Sequence, residues 1–239
     1  AKGFTRKMKK IAIYHHLGMG DSIECNGMVR HYTEKHDVVD IFSKDNYYES
    51  CKFMYRDSDK IRINKVDGKN EYVEVQKFLK SYDGDVLIPG HQNYFKNLAF
   101  FSSLNYGPGR SFYDIAGIPW KYRNEKFYFE RDLEQEKRVL GKLNPNGEKF
   151  VFVHDDMRRG FVIDLKSEYK IIKNDPTESF FNMLGVLEAA EEVHCMSSSF
   201  FCLIDCLDRK IKIKNKFLHK SIRNVNLGDQ GIVSNWNII

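Results

Sequence analysis

No stretch of 18 consecutive apolar residues occurs in the 239-residue chain, so no segment reads as a bilayer-spanning helix. The N-terminal AKGFTRKMKK is not followed by an apolar segment of signal-peptide length. The chain starts with Ala rather than Met, which fits either a tag remnant or an excised domain covalently linked to further domains in a longer protein. Cysteines are few and odd in number: Cys25, Cys51, Cys195, Cys202 and Cys206, with no CxxC pair. That argues against a disulfide framework or a structural zinc, and for a reducing, cytoplasmic setting. Charge of one sign is not concentrated. With 38 Lys and Arg against 33 Asp and Glu, the net charge is +5, a mild excess that suits a small anionic ligand. The basic residues are dispersed and form no recognisable module, so nucleic-acid binding is not expected. There is no internal repeat, no GK[ST] ending of a phosphate loop and no GxSxG elbow.

What is present alternates between strand and helix. The run 8–16 (MKKIAIYHH) reads as a buried strand, LGMGDS as a glycine turn, and SIECNGMVRHYTEK as a helix. A strand follows at VVDIFSK (38–44), then a helix in NYYESCKFMYR capped by Asp45 or Asn46. KIRINKV (60–66) alternates like a strand, 70–82 is an amphipathic helix, and DVLIPG (85–90) is a further buried strand. Residues 91–125 look irregular, and 130–143 form a charged helix that NPNGE breaks. KFVFVHDD (149–156) is a strong strand, with RRGFVIDL returning as a hairpin. After it come a strand at 169–175, a helix opening at Pro176 to Glu178, a short strand VHCM (193–196), and a helix FFCLIDCLD. RKIKIKNK resembles an edge strand guarded by lysines. This order predicts an α/β protein with parallel sheets and right-handed crossovers. The expectation is two Rossmann-like halves facing each other across a cleft, 1–145 and 146–239.

Ligands of open parallel sheets bind beyond the carboxyl ends of the strands, and three polar segments fall there. In HHLGMGDS, Gly18 and Gly20 allow close backbone approach to a ligand, and Asp21 opens a helix. Asp21 either caps that helix or serves as a general base. His16 and His15 are rival bases, one of them reading as a core histidine. In VFVHDDMRRGF, His154 and Asp156 leave a strand end, and Arg158 and Arg159 follow. An Arg pair can clamp a diphosphate, or the segment is a surface hairpin with Asp–Arg pairing. The HDD group lacks a second ligand cluster with metal spacing, so no metal is expected. In EVHCMSSSFFCLIDCL, Ser197, Ser198 and Ser199 stand at a strand-to-helix turn. They either contact phosphate or supply one cap. Hydrolase chemistry from Ser199, His194 and Asp205 is disfavoured because the elbow is missing. Asp175 and His194 are further ligand-side candidates. Tyr113, Trp120 and Arg123 are candidates for an acceptor groove, in keeping with an aromatic content of 14%.

At these segments the sequence resembles GT-B-type glycosyltransferases. GMGDS is similar to the N-terminal loop of heptosyltransferase-like enzymes, which implies Asp21 as the catalytic base. VFVHDDMRRG is similar to the start of the C-terminal half of fucosyltransferase-like enzymes, which implies Arg158 or Arg159 at the donor diphosphate. HCMSSSFFCLID resembles the later donor-phosphate turn, which implies Ser197 to Ser199. The three in this order look like glycan-building transferases found as domains of multidomain proteins from large DNA viruses and bacteria. The resemblance implies a metal-independent, inverting transfer to a glycan hydroxyl. The donor would be a UDP- or GDP-linked sugar, a deoxyhexose such as rhamnose or fucose, with no other cofactor. The 1–145 half would take the acceptor. The 146–239 half would take the donor, with Gly18, Gly20, His154, Asp156, Asp175 and His194 also at the donor. A nucleotide-sugar-modifying enzyme and a non-catalytic nucleotide- or glycan-binding module are the alternatives.

Overall fold

The apolar runs at 10–13 and 150–154 each become a central strand of a separate parallel sheet. The structure, a computed structural model, describes residues 7–223, 232 and 234–239. Residues 1–6 of the AKGFTRKMKK stretch lie outside the described residues. The chain packs as two units, Ala1–Glu130 and Arg131–Ile239.

In the first unit the elements run β1 (Lys10–Ile13), α1 (Met19–Glu24), α2 (Asn26–Thr33), β2 (Val38–Lys44), a 3-10 turn (Asp45–Tyr47), α3 (Tyr48–Tyr55), β3 (Ile61–Val66), α4 (Glu71–Lys80) and β4 (Asp85–Leu87). The sheet order is β3-β2-β1-β4, and each neighbouring pair is parallel. β1 and β2 are buried along nearly their whole length, and within β2 the buried Asp40 carboxylate is satisfied by Asn64 and Tyr82. Ala12, Tyr14, Leu17, Phe42, Val66 and Val75 form a core cluster on which Phe78 and Leu79 of α4 pack. Phe42 meets Tyr14 and Phe78 edge to face, contacts that add to the apolar burial.

Several local readings change. DVLIPG is not a buried strand, because β4 sits at the sheet edge with Asp85 and Val86 exposed. Residues 91–125 are not irregular. They fold as α5 (His91–Lys96), α6 (Leu98–Ser103), α7 (Pro108–Ala116) and α8 (Tyr122–Glu125). These helices are too short for their apolar spacing to show in sequence. Pro108 opens α7 and Gly117, at φ 66, closes it. Neither Asp45 nor Asn46 caps α3, since the 3-10 turn intervenes and Tyr47 holds the cap position. Gly27 is needed where α2 meets α8: a Cβ there would lie 2.1 Å from the Tyr122 carbonyl oxygen.

The second unit runs α9 (Leu133–Leu143), β5 (Phe150–His154), a 3-10 turn (Met157–Arg159), β6 (Lys170–Lys173), a 3-10 turn (Phe180–Met183), α10 (Leu184–Ala189), β7 (Glu192–Cys195), α11 (Ser199–Leu207), a 3-10 turn (Asp208–Lys210), β8 (Lys216–Leu218) and β9 (Asn237–Ile238). Its order is β6-β5-β7-β8-β9, again all parallel. α9 belongs to this unit, so the division falls at Glu130 rather than near 145. Asp132 caps α9, Arg131 pairs with Glu136 and Glu188, and Lys142 pairs with Asp175. The RRGFVIDL return is reduced to one antiparallel bridge between Asp156 and Phe161. Pro176 to Glu178 do not start a helix; α10 begins at Leu184 after a 3-10 turn. RKIKIKNK is not an edge strand: only Lys216 of it enters β8, which lies between β7 and β9.

No helix among the described residues is long and apolar enough to cross a membrane.

Candidate functional site

In each sheet one strand is flanked by the elements that precede and follow a change of direction. The chain steps from β1 to one side for β2 and β3, then returns to the other side for β4. Such a reversal is where open parallel sheets place their ligand crevice, here at the carboxyl ends of β1 and β4. The same holds in the second unit for β5 and β7.

At the first crevice the β1 and β4 exits are held in close register. Tyr14 N–H donates to Leu87 O at 2.9 Å. Gly90 is required there, since a Cβ would meet His16 N at 2.7 Å. The next residue, His91, has left-handed backbone at φ 47, an uncommon and strained state for a residue with a side chain. Its surroundings hold it there. The ring stacks on Tyr14 at 4.0 Å, and Nε2 lies 3.1 Å from both His15 O and Glu71 Oε1. Glu71 also accepts from Tyr14 Oη at 3.1 Å and pairs with Lys44 at 3.1 Å. The left-handed turn sends His91 N–H to His16 Nε2 at 3.2 Å. His16 is packed against the rings of His91, Tyr94, Phe95 and Phe112. Burial pushes the pKa of His15 and of His16 down to about 4, and lowers that of His91. All three are neutral at neutral pH.

Asp21 is not the N-cap. That position is Gly18, and Asp21 is the third residue of α1. Its carboxyl folds back over Gly18, where an added Cβ would sit 2.5 Å from Asp21 Oδ2. Although the residue is partly exposed, its carboxyl is enclosed. Burial pushes its pKa up to about 7, the negative charge of Glu24 adds to the rise, and Lys44 opposes it. A carboxyl so placed can gain and lose a proton near neutrality, the condition for general base work. Lys44, Glu71, His91 and Tyr94 escaped the sequence reading. All except Tyr94 lie within a few residues of the carboxyl end of a strand, which is the signal that would have found them.

The three acceptor-groove candidates are placed differently. Tyr113 is fully buried, donating from Oη to Glu24 O at 2.9 Å and accepting from Met28 N–H at 3.1 Å. Arg123 is fully buried. Its Nε pairs with Glu24 Oε2 and its Nη2 with Glu24 Oε1 at 2.7 Å. Both therefore build the core of the first unit rather than a groove surface. Trp120 remains half-buried, edge-on to Tyr113 at 5.2 Å.

At the second crevice the two exits are joined by a hydrogen bond from Met196 N–H to His154 O at 3.2 Å. His154 lies at the end of β5, its Nδ1 3.0 Å from Asn174 Oδ1 and its ring 4.3 Å from Phe200. Burial lowers its pKa. Asp155 is a structural latch, accepting from Ile163 N–H at 3.1 Å and Lys173 Nζ at 2.7 Å. Asp156 caps the 3-10 turn, and Arg159 Nε pairs with it at 2.6 Å and holds its carboxyl below the usual range. Arg158 is exposed and makes no ion pair among the described residues. After β7, Ser197 is buried, and the Ser198 hydroxyl caps α11 by accepting from Phe201 N–H. Ser199 is the first helical residue, and no acidic residue occupies the first turn. The start of a nine-residue helix with no acidic residue in its first turn favours an anion. Arg223, missed in the sequence reading, reaches this turn and donates from Nη1 to Ser197 O at 3.0 Å.

Two candidates are engaged internally. Asp175 accepts from Lys142 at 2.8 Å and from the Thr177 backbone at 2.9 Å, and these contacts hold its carboxyl well below the usual range. His194 lies within β7, between His219 at 2.9 Å and Glu192 at 3.0 Å, stacked on Phe217.

No family model matches the sequence, and no curated protein matches it. Solved structures do. The glycosyl transferase family 9 protein from Veillonella parvula DSM 2008 superposes with a TM-score of 0.59 at 9% identity, covering 97% of this chain and 86% of that one. The E. coli ADP-heptose lps heptosyltransferase II gives a TM-score of 0.50 at 8% identity, over 97% and 90% of the two chains. At such identities the likeness is one of fold: the chain has the GT-B fold of these transferases.

Proposed function

We propose that the protein transfers a sugar from a nucleoside-diphosphate donor to a hydroxyl of a glycan acceptor. The acceptor-side chemistry is assigned to the first unit and the donor to the second. The observation that carries this reading is the Asp21 carboxyl, brought to a pKa of about 7 at the carboxyl end of β1. An acceptor hydroxyl must lose its proton as its oxygen attacks the anomeric carbon. Asp21 takes that proton. The bond from the anomeric carbon to the diphosphate oxygen breaks, and the electron pair leaves with the nucleoside diphosphate. Arg158, Arg159 and Arg223, with the first-turn N–H groups of α11, offset the charge that develops on it. A single displacement inverts the anomeric centre. Protein cations and a helix terminus then serve where other transferases use a metal. No two of the five cysteines have CxxC spacing, which suits a reducing compartment.

The sequence resemblance points to a UDP- or GDP-linked deoxyhexose, while one structural neighbour is named for ADP-heptose. Thermal stabilisation decides between them, because a ligand that binds only the folded state raises the melting temperature. ADP, GDP, UDP and their sugars are compared with and without EDTA. A shift with one nucleoside diphosphate that EDTA leaves unchanged supports the proposal. No shift with any of them at about millimolar concentration, where weak donors still bind, ends it. The anomeric configuration of the product, read by NMR, tests inversion.

A further inference from the structure

The bond between His91 and His16 has a consequence for what the first crevice binds. A backbone N–H can only donate, so His16 Nε2, which receives it, carries a lone pair. The neutral ring must then carry its proton on Nδ1. Nδ1 has no partner among the described residues. The arrangement is braced on every side. Gly90 lets the two backbones touch, His91 is held in its left-handed turn by His15 O, Glu71 and the Tyr14 ring, and Tyr94, Phe95 and Phe112 wedge the His16 ring.

We infer that His16 is a fixed, one-way hydrogen-bond donor that offers Nδ1–H to a ligand oxygen, and that with Asp21 it selects a neutral hydroxyl as acceptor. This rests on the transferase reading of the site. The charged and titratable groups near His16 are His15, His91, Lys44 and Glu71. Tyr94 links it to Asp21: its ring lies 5.2 Å from His16, and the Asp21 charge contributes to raising its pKa. A hydroxyl satisfies both groups at once, accepting from Nδ1–H while donating to the Asp21 carboxylate. An ammonium group has no lone pair for His16, and an ionised carboxylate has no proton to give the ionised form of Asp21. His16 is thereby removed from the rival-base role that its sequence position suggests: one nitrogen is occupied, the other already protonated, and burial keeps its pKa near 4.

Side-chain nitrogen NMR of the histidine-labelled protein, recorded without ligand, tests the tautomer. The expected result is a neutral Nδ1–H ring at His16 that does not titrate between about pH 5 and 8. An Nε2–H tautomer, or titration in the ordinary histidine range, overturns the inference. A pair of variants tests the donor. In H16N the amide nitrogen falls near the place of Nδ1, whereas in H16Q it reaches the place of Nε2. H16N is expected to bind the acceptor about tenfold more tightly than H16Q, judged by KM, the scale of one hydrogen bond. The acid limb of the rate profile should stay where Asp21 sets it in both. Equal losses in the two variants, or a displaced acid limb, overturn the inference. If the unaltered protein transfers no sugar from any nucleoside-diphosphate donor, the transferase reading falls. The tautomer then decides the inference alone: Nδ1–H supports the fixed donor and Nε2–H overturns it.

Discussion

Replacing Asp21 with Asn removes one ionisable group and keeps the side-chain shape. The carboxyl pKa rises on folding from the ordinary 3.8 to about 7. Between those values the folded protein holds a proton that the unfolded chain has lost, so unfolding free energy falls as pH rises. The penalty is absent below about pH 4, grows through the interval, and is complete above about pH 7. Its ceiling is about 4 kcal/mol, from roughly three pKa units at about 1.4 kcal/mol each. D21N escapes the penalty but also loses the attraction of a carboxylate to the first turn of α1, worth about 0.3–1 kcal/mol. The variant is therefore expected to be more stable than the parent by about 2–4 kcal/mol at about pH 8, and close to it at about pH 4. Urea denaturation at the two pH values reads the difference. The same variant should lose about 10²–10⁴-fold in transfer rate if Asp21 is the base. Gain of stability with loss of rate is the signature of a residue held in an unfavourable state for chemistry. A variant less stable than the parent at about pH 8 refutes the reasoning and makes Asp21 an ordinary stabilising anion of the helix start.

Three other outcomes follow from the geometry. Gly90→Ala places a Cβ against the backbone of His15 and His16, and is expected to cost about 1–3 kcal/mol. That lowers the melting temperature by about 3–10 °C, and an unchanged value would show that the two loops have room. Arg123→Met leaves Glu24 without its buried partner and is expected to cost about 3–5 kcal/mol in urea denaturation, with Arg123→Lys failing to restore the two-pronged contact. A normal unfolding midpoint with a raised acceptor KM would return Arg123 to the groove. Arg158→Ala, at an exposed residue, should leave the unliganded melting temperature within about 1 °C and raise the nucleoside-diphosphate Kd about tenfold. An unchanged Kd in titration calorimetry removes Arg158 from the donor site.

The α/β class and most strands were legible because a strand buried on both faces is mostly apolar, as the runs IAI in β1 and FVFV in β5 are. The glycine and serine turns were legible because a parallel sheet gathers its polar loops at the carboxyl ends of its strands. The edge position of β4, the four short helices of 91–125 and the assignment of α9 to the second unit were not. Each depends on partners distant in sequence, such as Leu87 for Tyr14 or Glu188 for Arg131.

Sequence alone could name Asp21 and His16 as candidates, since residue type and place at a strand exit are local facts. It could not assign their protonation. Asp21 has a pKa of about 7 because the tertiary structure withdraws its carboxyl from water beside Glu24. His16 is a neutral donor because a left-handed turn 75 residues away points one N–H at its ring. The same reason separates Arg158, left exposed, from Arg123, sealed against Glu24: composition supplies the charge, and only packing decides whether a ligand or the core receives it.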